Sequence, residues 1–361
     1  MKYSIHDQTG EPAYLQLYHQ LREDIANGVY PPLSKLPSKR TLAHDTGVSI
    51  ITAAHAYELL CDEGYIEARE RSGYIVIFRA GDVFASPKER ATHLFPTATH
   101  SDTKTEFPFS VLAKAMRTVI SNMGESILDR SPNIGTMELR SAISEYLKRN
   151  RGIAADTEQI VIGSGSEYLY DLIVGLLGRD QLFAIESPSY KMIEQVYTAA
   201  GLTIEKLPLG SDGIDSTHLK NCRANVLHIS PYRSYPSGVT ASASKRHEYL
   251  QWASDGKIII EDDFESEFSV SRKAEETLFS HTTQDNVIYM NTFSMTISPS
   301  LRVGYMILPK HLAAVFQEKL GFYSCTVPTY MQYVLAELIS SGDFERHINR
   351  VRRAKRKELS K

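Results

Sequence analysis

From Phe107 onward, short apolar runs alternate with longer stretches of helical period. That alternation restricts this part of the chain to an α/β domain with a largely parallel sheet. Ile160-Val161-Ile162, Phe183-Ala184-Ile185, Thr203 to Leu207, Val226-Leu227-His228-Ile229, Ile258-Ile259-Ile260 and Val287-Ile288-Tyr289 read as strands. Helical spacing marks Val111 to Met123, Met137 to Arg149, Tyr168 to Leu177, Tyr190 to Ala200 and Tyr330 to Ser340. Open sheets of this kind bind ligands beyond the carboxyl ends of their strands, so candidate chemistry belongs in the segment after each run.

At 361 residues the chain exceeds the size at which one core stops growing, about 250–300 residues. Its first part follows another pattern. Leu15, Tyr18, Leu21 and Ile25 give a helix between Pro12 and Gly28, and Pro31-Pro32 forces an extended connection. Ser38 can cap a helix over Lys39 to Asp45, closed by Gly47, and Ser49 one over Ile50 to Glu63, closed by Gly64. Tyr65-Ile66-Glu67-Ala68 and Tyr74-Ile75-Val76-Ile77 then form two strands around the charged tip 69–73. This is the pattern of an α+β winged helix-turn-helix over 1–78. Periodicity disappears over 79–106, which reads as a linker before the α/β domain of 107–361.

A formal net charge of -3 gives no global pull toward nucleic acid, so any such binding needs a local patch. Lys35, Lys39, Arg40, Arg69 and Arg71 are offset by Glu23, Asp24, Glu58, Asp62 and Glu63. By charge alone they fit a protein-interaction face as well as a DNA-binding one. Cys61, Cys222 and Cys325 have neither paired nor metal-ligand spacing, as expected of inert thiols in a reducing compartment. Neither a signal peptide nor a run of about 18 apolar residues is present, and the expected location is cytoplasmic.

Five segments of the larger domain could carry chemistry. Gly163-Ser164-Gly165-Ser166-Glu167 can bring backbone N–H groups at a helix start to a phosphate, although such a loop is also an ordinary tight turn. The Glu167 carboxylate would oppose an anion if it pointed inward. Tyr190, after Glu186-Ser187-Pro188-Ser189, can face a flat ligand or merely cover the sheet end. Ser230 to Gly238 is a proline-containing loop. Glu261-Asp262-Asp263-Phe264-Glu265 reads more readily as a solvated acidic loop than as a metal site. Finally, Ser294 opens a polar turn that Arg302 closes, with a second strand expected over Leu301 to Tyr305. A hydroxyl and a guanidinium fork so placed suit an anion. Met295, an inert thioether, stands between them.

Leu36-Pro37-Ser38-Lys39-Arg40-Thr41-Leu42-Ala43, Gly47-Val48-Ser49, Ala56-Tyr57-Glu58-Leu59-Leu60 and Glu63-Gly64-Tyr65-Ile66 occur in order. Together they resemble the DNA-binding domain of the GntR family over about residues 11–78. The resemblance implies double-stranded DNA as partner. Ser38, Lys39 and Arg40 would lie at the backbone or a base edge, Ser49 to Thr52 would open the recognition helix, and Arg71 to Gly73 would form the wing tip. Ile50 stands where the family often has Arg, which removes a strong donor to guanine or phosphate.

In the same way the segments from Gly163 to Tyr305 resemble the fold-type I aminotransferase domain. A winged helix joined to it resembles the MocR-type subfamily of GntR regulators. That likeness implies a pyridoxal 5'-phosphate site. Gly165, Ser166 and Glu167 would lie under the phosphate, mainly through backbone N–H groups, with Ser294 and Arg302 completing its cradle. Tyr190 would stack on the ring and Asp262 would pair with the ring nitrogen. Met295 replaces the lysine that bonds the cofactor, Phe264 replaces a tyrosine, and Tyr232-Arg233 stand where relatives more often have Ser and His. A cofactor held only non-covalently, no catalytic residue and no metal are therefore expected. The expected protein is a homodimeric DNA-binding regulator with a catalytically inactive domain that senses a small-molecule effector. The alternative is a pyridoxal-phosphate enzyme with an accessory DNA-binding domain. Arg350 to Lys357 reads as a solvated basic helix face, and the family's C-terminal subdomain is expected to be missing after it.

Overall fold

The computed structural model describes residues 3–5, 11–69, 72–78, 107–263, 265–270 and 276–359. The expected linker 79–106, Arg71 and Phe264 lie outside the described residues. The chain divides into two compact units, Met1–His100 and Ser101–Lys361.

In the first unit, helices α1 (Ala13–Ala26), α2 (Lys39–Thr46) and α3 (Ile50–Asp62) precede the antiparallel pair β1 (Ile66–Arg69) and β2 (Gly73–Val76). Leu17, Leu21, Leu42, Ala53, Tyr57, Leu60, Ile66 and Val76 close over one core. The Ser38 and Ser49 hydroxyls accept the N–H groups of Thr41 and Thr52 at 3.1 and 3.0 Å, which fixes where α2 and α3 begin. Each such cap contributes about 1 kcal/mol. The Tyr57 hydroxyl donates to the Pro37 carbonyl at 2.8 Å and ties α3 to the segment before α2.

The second unit begins with α4 (Phe109–Met123) and α5 (Met137–Arg151). Alternating elements follow: β3 (Ile160–Gly163), α6 (Ser166–Leu177), β4 (Leu182–Ser187), α7 (Lys191–Ala199), β5 (Thr203–Pro208), α8 (Ser216–Asn221), β6 (Val226–Ile229), α9 (Ala243–Trp252) and β7 (Ile258–Asp262). Then come α10 (Leu278–His281), β8 (Val287–Thr292), β9 (Gly304–Ile307), α11 (Lys310–Leu320), α12 (Thr329–Ser340) and α13 (Asp343–Leu359). The strands form one sheet in the order β3-β9-β8-β7-β6-β4-β5. Among the described strands of this sheet, β9 pairs antiparallel with both β3 and β8, and the other pairings are parallel.

The apolar runs are buried on both faces, and the twofold period of a strand sorts them. Ile288 and Met290 join the core made with α6, α7 and α11. Tyr289, between them, joins the core of α4, α5 and α12 on the other face.

Three expectations are corrected. The second strand begins at Gly304 rather than Leu301, because Pro299–Leu301 makes a 3-10 turn and Arg302 takes a left-handed φ of 48°. The acidic segment is not solvated: Glu261, Asp262 and Asp263 are buried. The Glu261 carboxylate accepts the N–H groups of Leu278 and Phe279 at 2.8 and 2.9 Å, and Asp263 pairs with Arg151. Among the described residues no group of His, Cys, Asp and Glu could hold a metal ion. The basic run of α13 is only partly solvated, since Arg352 and Arg356 donate to the carbonyls of Glu267 and Val270 at 2.5 and 3.1 Å.

Candidate functional site

At the carboxyl edge of the sheet, β3 ends at Gly163, opposite Gly304 at the start of β9, and Gly304 also pairs with Thr292 at the end of β8. This register brings the loop before α6 next to Arg302. Gly165 caps α6 with a φ of 96°, and an added Cβ there would lie 2.9 Å from Arg302 Nη2. Only glycine leaves room for the guanidinium at the helix start. The first N–H groups of α6 have no intrahelical acceptor, and the helix dipole favours negative charge there. Arg302 also pairs with the Glu167 carboxylate. The feared repulsion between Glu167 and an anion is thus neutralised by the cation beside it.

Ser294 is half-buried and held by Thr292, whose Oγ1 accepts the Ser294 N–H at 3.1 Å and donates to its hydroxyl at 3.0 Å. Thr292 Oγ1 also lies 3.1 Å from the Val303 carbonyl, which fastens the two ends of the turn. Met295 is 38% exposed in that turn.

Asp262 ends β7 and is buried. The Tyr170 hydroxyl donates to its Oδ2 at 2.6 Å, and His228 Nε2 lies 3.5 Å from the same oxygen. His228 Nδ1 is 2.7 Å from the Tyr197 hydroxyl. Burial, then the Asp262 charge, pushes the Tyr170 hydroxyl well above its usual pKa, so it stays a donor. These three partners were not foreseen. A histidine inside the apolar run Val226 to Ile229 was the available signal, since a buried imidazole needs a polar partner.

Tyr190 sits at the start of α7, 39% exposed and edge-on to the Tyr235 ring at 6.0 Å. Burial raises its pKa, the charges of Glu167 and Asp262 add to this, and Arg302 opposes it. Near the end of β4, Glu186 is buried and accepts the Ser234 hydroxyl at 2.6 Å. Burial, with a further contribution from Asp262, pushes its carboxyl up to about 7.

In the winged helix, Lys39 lies 5.4 Å from the Tyr74 ring centre, and a hydrogen bond to Tyr74 raises its pKa. Arg40 is exposed, and Gly73 takes a φ of 88° where the wing turns. Ser38 and Ser49 spend a hydroxyl lone pair on capping, as described above.

Residues 100–360 match the aminotransferase class I and II family, and residues 13–76 match the bacterial regulatory proteins of the gntR family. The HTH-type transcriptional regulator YdeL of Bacillus subtilis is 31% identical over 358 residues, which cover 96% of this chain and 77% of YdeL. The chain belongs to the MocR-like regulators of the GntR family. The probable rhizopine catabolism regulatory protein MocR of Rhizobium meliloti is 28% identical, over 95% of this chain and 74% of its own. Among solved structures, the α-aminoadipate aminotransferase LysN of Thermus thermophilus, complexed with N-(5'-phosphopyridoxyl)-L-leucine, is 29% identical with a TM-score of 0.60. That match covers 68% of this chain and 64% of LysN, so this MocR-like chain spans less than two thirds of the aminotransferase. No helix among the described residues is long and apolar enough to cross a membrane.

Proposed function

We propose that the chain is a cytoplasmic, homodimeric DNA-binding transcriptional regulator whose aminotransferase-like domain is catalytically inactive and binds pyridoxal 5'-phosphate without a covalent bond. The observation that carries this reading is Met295, an exposed thioether in the turn between Ser294 and Arg302, where the resemblance calls for a lysine. The donor set fits a phosphorylated pyridine. Free N–H groups at the start of α6, the Ser294 hydroxyl and Arg302 would hold the phosphate, with Glu167 yielding part of the guanidinium to it. Tyr190 would cover the ring. Asp262, oriented by Tyr170 and His228, would hold a proton on the ring nitrogen.

When bound, the cofactor supplies an electron-poor ring that stabilises negative charge on an attached carbon. Using it in transamination requires an amine that bonds the aldehyde and then moves a proton. A thioether can do neither. Binding energy at this site is thus left to bias one arrangement of the two winged helices over another, with a small-molecule effector acting through its differential affinity for the two.

The test mixes the purified protein with pyridoxal phosphate and an amino acid, then treats it with borohydride. The expected result is saturable cofactor binding, no keto acid and no added mass. Sustained keto-acid production would support the alternative, an enzyme with an accessory DNA-binding domain. A gel shift against DNA upstream of the protein's own gene checks the regulator half of the reading, and binding indifferent to DNA sequence would overturn it.

A further inference from the structure

The helix α3 begins with two β-branched apolar side chains that its own domain leaves uncovered. Ile51 is 81% exposed and Ile50 52%, whereas Ala53, Ala56, Tyr57 and Leu60 of the same helix are buried. Core packing therefore accounts for the second set and not for the first pair.

The rest of the exposed face narrows what α3 can approach. Glu58 is exposed and Asp62 lies at the end of the helix, so its C-terminal half carries negative charge that phosphates repel. His55 is stacked on Tyr14 with ring centres 4.1 Å apart. The N-terminal end carries the positive pole of the helix dipole, and Arg40 on the neighbouring α2 is exposed and able to meet phosphate. The helix must then enter a groove by its first turn. That turn holds no charged side chain. The Ser49 hydroxyl caps the helix and shares one 2.8 Å hydrogen bond with the Thr52 hydroxyl, which engages Ser49 twice and Thr52 once. The large side chains that this turn leaves exposed to a base edge are its two isoleucines.

We infer that Ile50 and Ile51 read the C5-methyl groups of thymines in the major groove, so that each operator half-site carries thymine where α3 enters. The methyl group is the apolar feature that distinguishes a T·A pair in that groove, and apolar side chains contact it. The inference rests on the DNA-binding reading above.

The full chain is first used to select duplexes from a random-sequence pool. Selected duplexes are then made again with deoxyuridine in place of thymidine at the enriched positions, which deletes the methyl group and keeps base pairing. The expected loss is about four-fold in affinity per methyl read, the equivalent of one apolar carbon returned to water. Ile51→Ala, at an exposed position, is expected to keep its helical circular dichroism and to bind the two kinds of duplex more nearly alike. Ile50→Arg is expected to move the preference at its position toward guanine, whose O6 and N7 accept a guanidinium fork.

Selected sites without thymine enrichment, equal binding of the deoxyuridine duplexes, or an undiminished methyl dependence in Ile51→Ala would each overturn the inference while leaving DNA binding intact. Failure to select any sequence would instead overturn the DNA-binding reading, and this inference with it.

Discussion

Gly165 and Arg302 occupy nearly the same space, and the missing Cβ is what permits it. Gly165→Ala would place a carbon 2.9 Å from Arg302 Nη2 on a backbone with φ of 96°, so the guanidinium must move. The expected outcome is at least a ten-fold rise (about 1.4 kcal/mol) in the dissociation constant for pyridoxal phosphate. Fluorescence titration measures it, and unchanged affinity would remove Arg302 from the phosphate cradle. Tyr170→Phe is a milder probe. It removes the 2.6 Å bond to Asp262 without changing shape, and is expected to weaken cofactor binding about three-fold. Glu186 gives a pH test. Burial raises its folded pKa to about 7 from its usual 4.5, so the folded state holds this proton more tightly than the unfolded chain. Its contribution to stability is therefore fully present below about pH 4.5 and is lost as pH rises through 7. Glu186→Gln cannot ionise, and its amide oxygen can still accept from Ser234. Urea denaturation should find it close to the parent in stability at pH 5 and relatively more stable at pH 8. A difference independent of pH would contradict the assignment.

At the scale of elements, the strands of the larger domain were legible because continuous apolar runs have few other fates in an α/β chain. α9 was not, since its sequence Ala-Ser-Lys-Arg-His-Glu-Tyr-Leu-Gln-Trp shows no apolar stripe and is fixed by tertiary contacts. Among these are the Tyr249 hydroxyl, which accepts the Ile214 N–H at 2.8 Å, and the Ser242 cap on Lys245. The loops that carry the proposed cradle could be read from the sequence, but the left-handed turn at Arg302 could not, because it depends on the pairing of β8 with β9. The acidic segment at the end of β7 misled for the same reason: its partners come from distant elements. Arg151 at the end of α5 pairs with Asp263, which also accepts the Tyr289 hydroxyl at 2.6 Å. Removing one member of such a buried pair leaves an uncompensated charge. Arg151→Met is expected to destabilise the larger domain by about 3–5 kcal/mol in chemical denaturation. A loss under about 1 kcal/mol would mean that Asp263 finds another donor or a proton.

The whole molecule joins two units, each with its own buried core, and the residues proposed to hold the cofactor all belong to the second. A ligand that binds the folded state stabilises the part it binds, by about 2.7 kcal/mol at a hundred times its dissociation constant. Calorimetry of the full chain is therefore expected to show two transitions. Saturating pyridoxal phosphate should raise the one belonging to the larger domain, and Gly165→Ala should blunt that shift. The winged-helix transition should stay where it is, and Ser49→Ala should lower it through loss of a cap worth about 1 kcal/mol. The two variants thus assign the transitions independently of the ligand. If cofactor raised both transitions together, the units would be thermodynamically coupled, and that coupling would itself be the route from ligand to DNA. If it raised neither, the residues gathered at the sheet edge would be relics of the fold, and the larger domain would act through the proposed dimer alone.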